Sequence, residues 1–213
     1  MKRLFTLLSG ICFLGFLTAG CEKDSEDPIR TDDNYQRIGN SEFGLGAGML
    51  ENYGRRSENS FEVDLTLVSP NIVIPQVASD PVTGSGQAIV FYMLSSSPTV
   101  LTNGTYGYLQ DASYPHSKFF YGEYTLNFDS ESDTPPLWTE ITSGDITVSR
   151  SGENYDITFR CKDINDQDIT GHYQGPLSYF NYSIVVNTRQ MLNKFSRHNE
   201  VLTKAGLPLL PLP

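Results

Sequence analysis

The stretch that decides the fold is ITSGDITVSRSGENYDITFRCKDINDQDITGHY, residues 141–173. From Tyr155 to Cys161, apolar or aromatic side chains occupy every second position and polar side chains lie between them. Because successive side chains of a strand point to opposite faces of a sheet, this period predicts a strand with Cys161 on its core face. Gly152 and the polar residues 163–167 interrupt the pattern as turns do. The stretch therefore predicts a meander of three strands.

The same period of two extends over residues 42–186, with turn residues recurring about every ten positions. Residues 61–67 alternate apolar side chains with polar ones, which predicts a strand whose Glu62, Asp64 and Thr66 face water. Residues 87–94 are apolar on both faces, which predicts a central strand covered on both sides. The predicted fold class is all-β: an antiparallel β-sandwich, or a flattened barrel, with a short C-terminal helix.

The N-terminus has the pattern of an export signal. Two basic residues precede an apolar run that is short for a membrane span, and the run ends in LTAGC, residues 17–21. This ending resembles a bacterial lipobox. The resemblance implies a signal peptide over residues 1–20 and acyl chains on Cys21 that hold the mature protein to a membrane. A plain secretory signal and a retained anchor helix are the alternatives.

An acidic stretch follows Cys21, and we predict that residues 21–40 form a flexible tether before a β domain over residues 41–186. An acidic cluster at this place resembles the export signal of Bacteroidota lipoproteins that are displayed on the outer face of the outer membrane. The pattern of residues 141–177 also resembles uncharacterised β-rich surface lipoproteins of Bacteroidota. These resemblances imply a lipid-anchored, surface-exposed protein of the outer membrane, and they imply no particular activity.

Charge and cysteine content exclude several classes of function. The formal net charge of -10 argues against a nucleic acid partner, because phosphate-binding surfaces need clustered Lys and Arg. With Cys12 in the signal peptide and Cys21 acylated, Cys161 remains alone and no intrachain disulfide is expected. The chain lacks nucleophile-elbow, zinc-protease, paired-cysteine and phosphate-loop motifs. We therefore predict no catalytic residues, no enzyme activity and no cofactor.

The acidic run DINDQD, residues 163–168, is the candidate metal site. It brings the carboxylates of Asp163, Asp166 and Asp168 into one loop, and Ca²⁺ prefers several hard oxygen ligands from such a loop. The run lacks the glycine and the distant glutamate of an EF-hand, and it stands between two predicted strands. A hairpin turn is the favoured interpretation, with a calcium site as the alternative.

Aromatic residues in or near loops are the candidate ligand-binding residues. Trp138, the only tryptophan, follows two prolines and a leucine, and Tyr108 and Tyr114 lie in or near predicted loops. Exposed aromatic rings stack on sugar rings, which makes a glycan a candidate partner beside a protein partner. The alternative is that Trp138 packs over an open end of the β domain.

The C-terminal extension, residues 187–213, differs from the rest of the chain in charge. It carries four basic residues and one acidic residue, whereas residues 35–186 carry 7 basic and 18 acidic residues. Residues 188–204 are the only helical candidate, with Gly206 as the stop, and prolines keep the following residues extended. We expect the extension to dock against the acidic body; a partner protein and the membrane surface are the alternatives.

These features predict a lipid-anchored cell-envelope protein that is a non-catalytic structural or interaction protein. The alternative is a glycan-binding accessory lipoprotein that uses exposed aromatic residues.

Overall fold

The computed structural model describes residues 34–109, 114–183, 199–201, 203, 204 and 206. Cys21, the signal peptide and most of the predicted tether lie outside the described residues, as does most of the C-terminal extension. Within the described residues, no helix has the length and apolar character needed to cross a membrane.

The described residues form twelve strands. In chain order they are β1 Tyr35–Ile38, β2 Ser41–Gly44, β3 Ala47–Ser57, β4 Ser60–Val68, β5 Ile72–Val73, β6 Thr83–Ser95, β7 Gly104–Tyr108, β8 Lys118–Asp129, β9 Thr139–Ser151, β10 Asn154–Asp163, β11 Asp168–Pro176 and β12 Ser178–Asn181. The predicted all-β fold class is thereby confirmed. The meander is also confirmed, because β9, β10 and β11 pair in sequence through turns at Gly152 and at residues 164–167.

Eleven of the strands lie side by side in the order β12-β3-β4-β6-β8-β7-β9-β10-β11-β1-β2, and β5 pairs with β6. Neighbouring strands are antiparallel except for the pairs β12 with β3 and β7 with β8. The short strand β7 is inserted at one end between β8 and β9, which pair directly further along. The sheet is therefore mixed.

The sheet curls strongly, because β2 and β3 lie near opposite ends of the strand order and only Leu45 and Gly46 connect them. Two linking residues span no more than about 10 Å. Leu45 N donates to Asn34 O at 2.9 Å and Gly46 N donates to Val68 O at 2.7 Å. A Cβ added at Gly46 would lie 2.5 Å from the Pro70 backbone, so the close approach of the two ends requires glycine there.

One apolar cluster, called here the inner cluster, fills the concave face of the curled sheet. It contains Ile38 of β1 and Leu50 of β3 together with buried residues of β4 and β6 to β11, including Phe91, Phe159 and Cys161. A single cluster can join strands from both ends of the order only if the sheet wraps around it. Cys161 is buried there, as the alternation of β10 predicts.

A second apolar cluster, called here the outer cluster, covers the opposite face of one half of the sheet. Its buried members are Met49, Tyr53, Val90, Tyr92, Leu94, Leu109, Phe120, Tyr121, Phe180, Tyr182 and Val201. A smaller cluster of Val68, Ile72 and Ala88 adjoins it, with Trp138, Ile74 and Val82 packed against both. This half of the sheet is therefore covered on both faces, as residues 87–94 predict for β6.

The expectation that the polar face of β4 meets water was wrong. Glu62, Asp64 and Thr66 are all buried, with at most 6% of each residue exposed. The physical reason is that β4 lies between β3 and β6, whose outer side chains belong to the outer cluster, so its own outer face is flanked on both sides by that covered surface. The side chains of Glu62 and Asp64 therefore lie inside the protein.

The boundary of the predicted tether also needs correction. Tyr35–Ile38 lies within the range predicted as tether, yet it forms β1 and pairs with both β11 and β2. Gln36 and Ile38 are buried there, and only a partner strand makes so short a segment stable. The β domain thus begins before residue 41.

Part of the C-terminal extension packs against the sheet. Residues 199–201, 203 and 204 are helical, and the chain turns at Gly206, whose φ of 69° is the left-handed conformation of a helix stop. Val201 is buried in the outer cluster. For the described residues, this confirms docking of the extension on the body; the predicted start of the helix lies outside them.

Candidate functional site

A row of side chains crosses the covered outer face of the sheet, from β12 to β8. Its members are opposite one another in the strand register, in the order Phe180, Glu51, Asp64, Tyr92 and Tyr121. Side chains directly opposite on antiparallel strands have Cβ atoms about 5 Å apart. Two carboxyl groups therefore lie side by side between aromatic rings, and only 6% of Glu51 and 3% of Asp64 is exposed.

This row forms part of the floor of a cavity of about 350 Å³, called here the outer-face pocket. The floor is formed by the outer side chains of β3, β4 and β6, which include Glu51, Tyr53, Asp64 and Tyr92. The volume lies within the range of small-molecule sites. The pocket is therefore the candidate binding site of the protein.

The loop after β5 and the residue before β9 complete the wall of the pocket. Ala78, Pro81 and Val82 supply apolar surface, Asp80 lies exposed at the rim, and Trp138 closes one side. The loop is tied to the end of β12, because Tyr182 Oη donates to Ala78 O at 3.1 Å. This hydrogen bond from Tyr182 therefore holds the loop, and with it one wall of the pocket, against the sheet.

The Tyr53 side chain lies in a region of negative electrostatic potential at the floor of the pocket. Its ring stacks on Tyr182 with centroids 5.5 Å apart. Burial, followed by the negative charges of Glu51 and Asp64, raises the pKa of Tyr53 well above its ordinary value. The Tyr53 hydroxyl therefore remains protonated and can donate a hydrogen bond in a region of negative potential.

Two neighbouring side chains hold the Tyr92 ring of this row in place. Tyr92 Oη donates to Glu123 Oε1 at 3.1 Å, and the Tyr92 and Tyr121 rings meet edge to face at 5.5 Å. Both contacts restrict the Tyr92 side chain at the floor of the pocket. A ligand would therefore meet a preformed aromatic surface there.

A buried ion pair lies on the same sheet face. Arg56 Nε donates to Glu62 Oε2, with 7% and 0% of the two side chains exposed. Tyr114 lies close by, and its pKa is raised, mainly by burial. The positive charge of Arg56 opposes this shift and the negative charge of Glu62 adds to it. Tyr114 packs against the outer cluster and does not line the outer-face pocket.

The three aromatic residues that the sequence singled out do not form one surface. Trp138 lines the outer-face pocket, partly buried. Tyr108 packs against the inner cluster, with its ring edge to face on Phe119 at 5.2 Å. Burial, followed by the charge of Glu140, raises the pKa of Tyr108. Trp138 alone of the three is placed to contact a ligand in the pocket.

The acidic run 163–168 forms a hairpin turn between β10 and β11, as favoured from its sequence. Asp163 Oδ1 accepts from Asn165 N at 2.8 Å and Gln167 N at 2.9 Å, and Oδ2 accepts from Tyr124 Oη at 3.0 Å. Burial alone would raise the pKa of Asp163, but these donors stabilise its carboxylate and lower the pKa. The Asp163 carboxylate thus stabilises the turn.

The other two carboxylates of the proposed calcium site point to a lysine instead. Lys162 Nζ lies 2.9 Å from Asp166 Oδ1 and 3.5 Å from Asp168 Oδ1. Among the described residues, no group of three or more His, Cys, Asp or Glu is arranged to hold a metal ion. The structure therefore does not bring Asp163, Asp166 and Asp168 together as ligands.

Sequence reasoning missed the residues that make the pocket: Glu51, Tyr53, Asp64 and Tyr92. One signal was present in β3, where Glu51 shares a face with Met49 and Tyr53, because a solvent face holding Met and Tyr around a carboxylate is unusual. The neighbouring carboxylate of Asp64 gave no such signal, since it alternates with apolar residues as a solvent-facing residue does.

Comparison with protein-family models, with curated proteins and with solved structures found no match to this chain.

Proposed function

We propose that the protein is a non-catalytic interaction protein of the cell envelope, anchored to the outer membrane through acyl chains on Cys21, whose β domain binds a small ligand in the outer-face pocket. The observation that carries the proposal is the cavity of about 350 Å³ with two carboxylates on its floor and aromatic rings around them. The lipobox at residues 17–21 supports the anchor and the acidic stretch after it supports display on the cell surface.

The lining of the cavity favours binding over a purely structural role for this face. Glu51 and Asp64 lie at a cavity whose other lining residues are mainly apolar and aromatic. Such a combination of apolar wall and few polar groups is typical of ligand sites.

Trp138 provides the means to test the pocket, because it is the only tryptophan and lines the cavity. A chemically diverse fragment library would be screened against the full chain in detergent by Trp138 emission and by ligand-observed NMR. We expect hits whose binding is weakened in Ala78→Phe, which narrows the pocket, and unchanged in Val77→Phe, which is exposed on the same loop. Hits that bind Ala78→Phe as tightly as the wild type, or an empty screen, would contradict the proposal.

A glycan-binding accessory protein is the second candidate. The observation that favours it is that the rings of Trp138, Tyr53 and Tyr92 line the same pocket, since aromatic rings stack on sugar rings. A glycan array probed with the full chain, and with Trp138→Ala, tests it. Binding that is lost in the variant supports the glycan function, and an array without signal excludes it for the sugars displayed.

The anchor is tested separately by Cys21→Ser. Cells fed an alkyne analogue of palmitate should label the wild-type protein and leave the variant unlabelled, and only the wild type should fractionate with the outer membrane. Equal labelling of both would contradict acylation at Cys21. Protease treatment of intact cells then tests surface exposure.

A further inference from the structure

Small side chains leave the outer-face pocket open. Ala78 on the loop after β5 and Ala88 on β6 both line it, beside large side chains such as Tyr92, Phe128 and Trp138. Protein interiors are close-packed, and a void costs stability because its walls lose contacts with partner atoms. A molecule that occupies the space of about 350 Å³ would therefore restore contacts that the protein alone does not make.

The walls of the pocket favour an apolar occupant. Among the described residues that line it, all except Glu51, Asp64, Thr66 and Asp80 are apolar or aromatic. Water forms few hydrogen bonds beside such walls. An apolar molecule that displaces this water gains free energy from the apolar surface that both partners bury, and the gain grows with each methylene group that enters.

The polar groups of the floor already interact with other groups of the protein. Tyr92 Oη donates to Glu123 Oε1 at 3.1 Å. Glu51, Tyr53 and Asp64 each have an interaction within the protein as well. The floor therefore offers a ligand the surfaces of its aromatic rings more than unused polar groups.

The charges around the pocket oppose an ionised ligand. Among the described residues, no Lys, Arg or His lines the cavity, whereas Glu51, Asp64 and the exposed Asp80 do. An anion would be repelled by these carboxylates and would also lose its hydration. A cation would lose its hydration too, and it would compete with the interactions that Glu51 and Asp64 already have. An uncharged molecule avoids both costs.

We infer that the outer-face pocket binds an uncharged, predominantly apolar small molecule, which is held by contact with aliphatic and aromatic side chains and not by an ion pair. The inference rests on the proposed function, because it names the class of ligand for the same pocket.

The first experiment measures how the wild-type full chain binds straight-chain primary alcohols from butanol to decanol, by calorimetry and Trp138 emission. Free alcohol is measured by headspace gas chromatography, so that uptake by the detergent is not counted as binding. We expect the affinity to rise about fourfold for each added methylene group until the alcohol fills the cavity, and to change little beyond that length. An affinity that does not depend on chain length would overturn the inference.

The second experiment compares octanol with octanoate and octylammonium at neutral pH, where the last two are ionised. We expect octanol to bind most tightly, octylammonium less tightly, and octanoate at least about tenfold more weakly than octanol. Raised salt should change the affinity for octanol least of the three. Tighter binding of either ion than of octanol would overturn the inference. Both experiments use the wild type, so neither depends on how well a variant folds.

A third measurement places the alcohols in the pocket. Ala78→Phe narrows the cavity, so it should weaken octanol at least about tenfold and move the length limit to a shorter alcohol. The matched control Val77→Phe changes an exposed residue of the same loop and should alter neither. Circular dichroism melting confirms that each variant is folded. Equal binding of octanol to the wild type and to folded Ala78→Phe would show that the alcohols bind elsewhere, and the inference would be wrong.

The outcomes separate this inference from the proposed function. If Ala78→Phe blocks charged fragments or sugars and octanol does not bind, the pocket is a ligand site and only the inference is wrong. If neither a fragment nor an alcohol binds, both proposals fail.

Discussion

Arg56 and Glu62 form an ion pair that the covered outer face of the sheet removes almost completely from water. Burying two charges costs several kcal/mol for each ion, and this cost is recovered only while both partners are present. The pair therefore makes the fold sensitive to loss of either side chain.

We expect Glu62→Ala to lower the free energy of unfolding by about 3–5 kcal/mol, because it leaves the Arg56 guanidinium buried without this carboxylate. The double variant Arg56→Met with Glu62→Leu should lose much less, since it removes both charges and keeps apolar volume. Urea unfolding followed by circular dichroism measures both. A loss of less than about 1 kcal/mol in Glu62→Ala would show that the pair is not energetically coupled to the fold.

Removal of residues 188–213 should lower the melting temperature of the protein. Val201 is 3% exposed within the outer cluster, so the deletion returns apolar surface of that cluster to water. Val201→Asp should reproduce much of the effect in the full chain, and Lys204→Ala, which changes an exposed helical residue, should not. An unchanged melting temperature after the deletion would contradict docking of the extension.

The pH dependence of stability should contain a contribution from Asp163. Its pKa in the folded protein is lowered, so the unfolded chain binds the proton more readily and acid favours unfolding. The contribution is complete above the ordinary Asp pKa of about 3.9 and is lost as the pH falls below it through the folded value. Asp163→Asn should flatten the acid limb of the stability curve, measured by urea unfolding between neutral pH and acid, whereas Asp133→Asn should leave it as in the wild type.

Calcium at millimolar concentration should leave the melting temperature unchanged. The Asp163 oxygens accept from Asn165 N, Gln167 N and Tyr124 Oη, and the carboxylates of Asp166 and Asp168 contact Lys162. Differential scanning fluorimetry with added calcium or chelator measures the effect. A calcium-dependent rise that disappears in Asp163→Asn would restore the calcium interpretation of this loop.

Cys161 should resist alkylation while the protein is folded. Burial, together with the negative charge of Asp145, raises the pKa of the thiol to about 12, so very little thiolate exists near neutral pH. Iodoacetamide at mildly alkaline pH should modify Cys161 only after denaturant is added, as shown by peptide mass spectrometry. Equal labelling rates with and without denaturant would contradict the burial.

The alternation of β10 and the turns on either side of it could be predicted because those strands have one covered face and one face in water. Residues 154–162 show this pattern directly, with Asp156, Arg160 and Lys162 exposed and Tyr155, Ile157 and Phe159 buried. A period of two can be recognised in a sequence because buried apolar residues alternate with exposed polar ones. The prediction is weaker wherever both faces are covered.

The pocket could not be predicted from the sequence, because the strands that form it are covered on both faces. Glu62 and Asp64 alternate with core residues as solvent-facing side chains do, and only the pairing of β4 with β6 places them under the outer cluster. The juxtaposition of Glu51 and Asp64 depends on the register between β3 and β4. Turn residues and local alternation do not define that register when charged residues lie on the covered face.

Taken by itself, the sequence determined the all-β class, the order of the β9–β10–β11 meander and the burial of Cys161, because these depend on local alternation and on adjacent turns. The tertiary structure alone decided that the sheet curls until β2 continues into β3, and that half of its outer face is covered. It also decided which carboxylates are buried and that Trp138, rather than Tyr108, faces a cavity. These features depend on pairing between distant strands, and a pattern of neighbouring residues does not specify which distant strand supplies the cover.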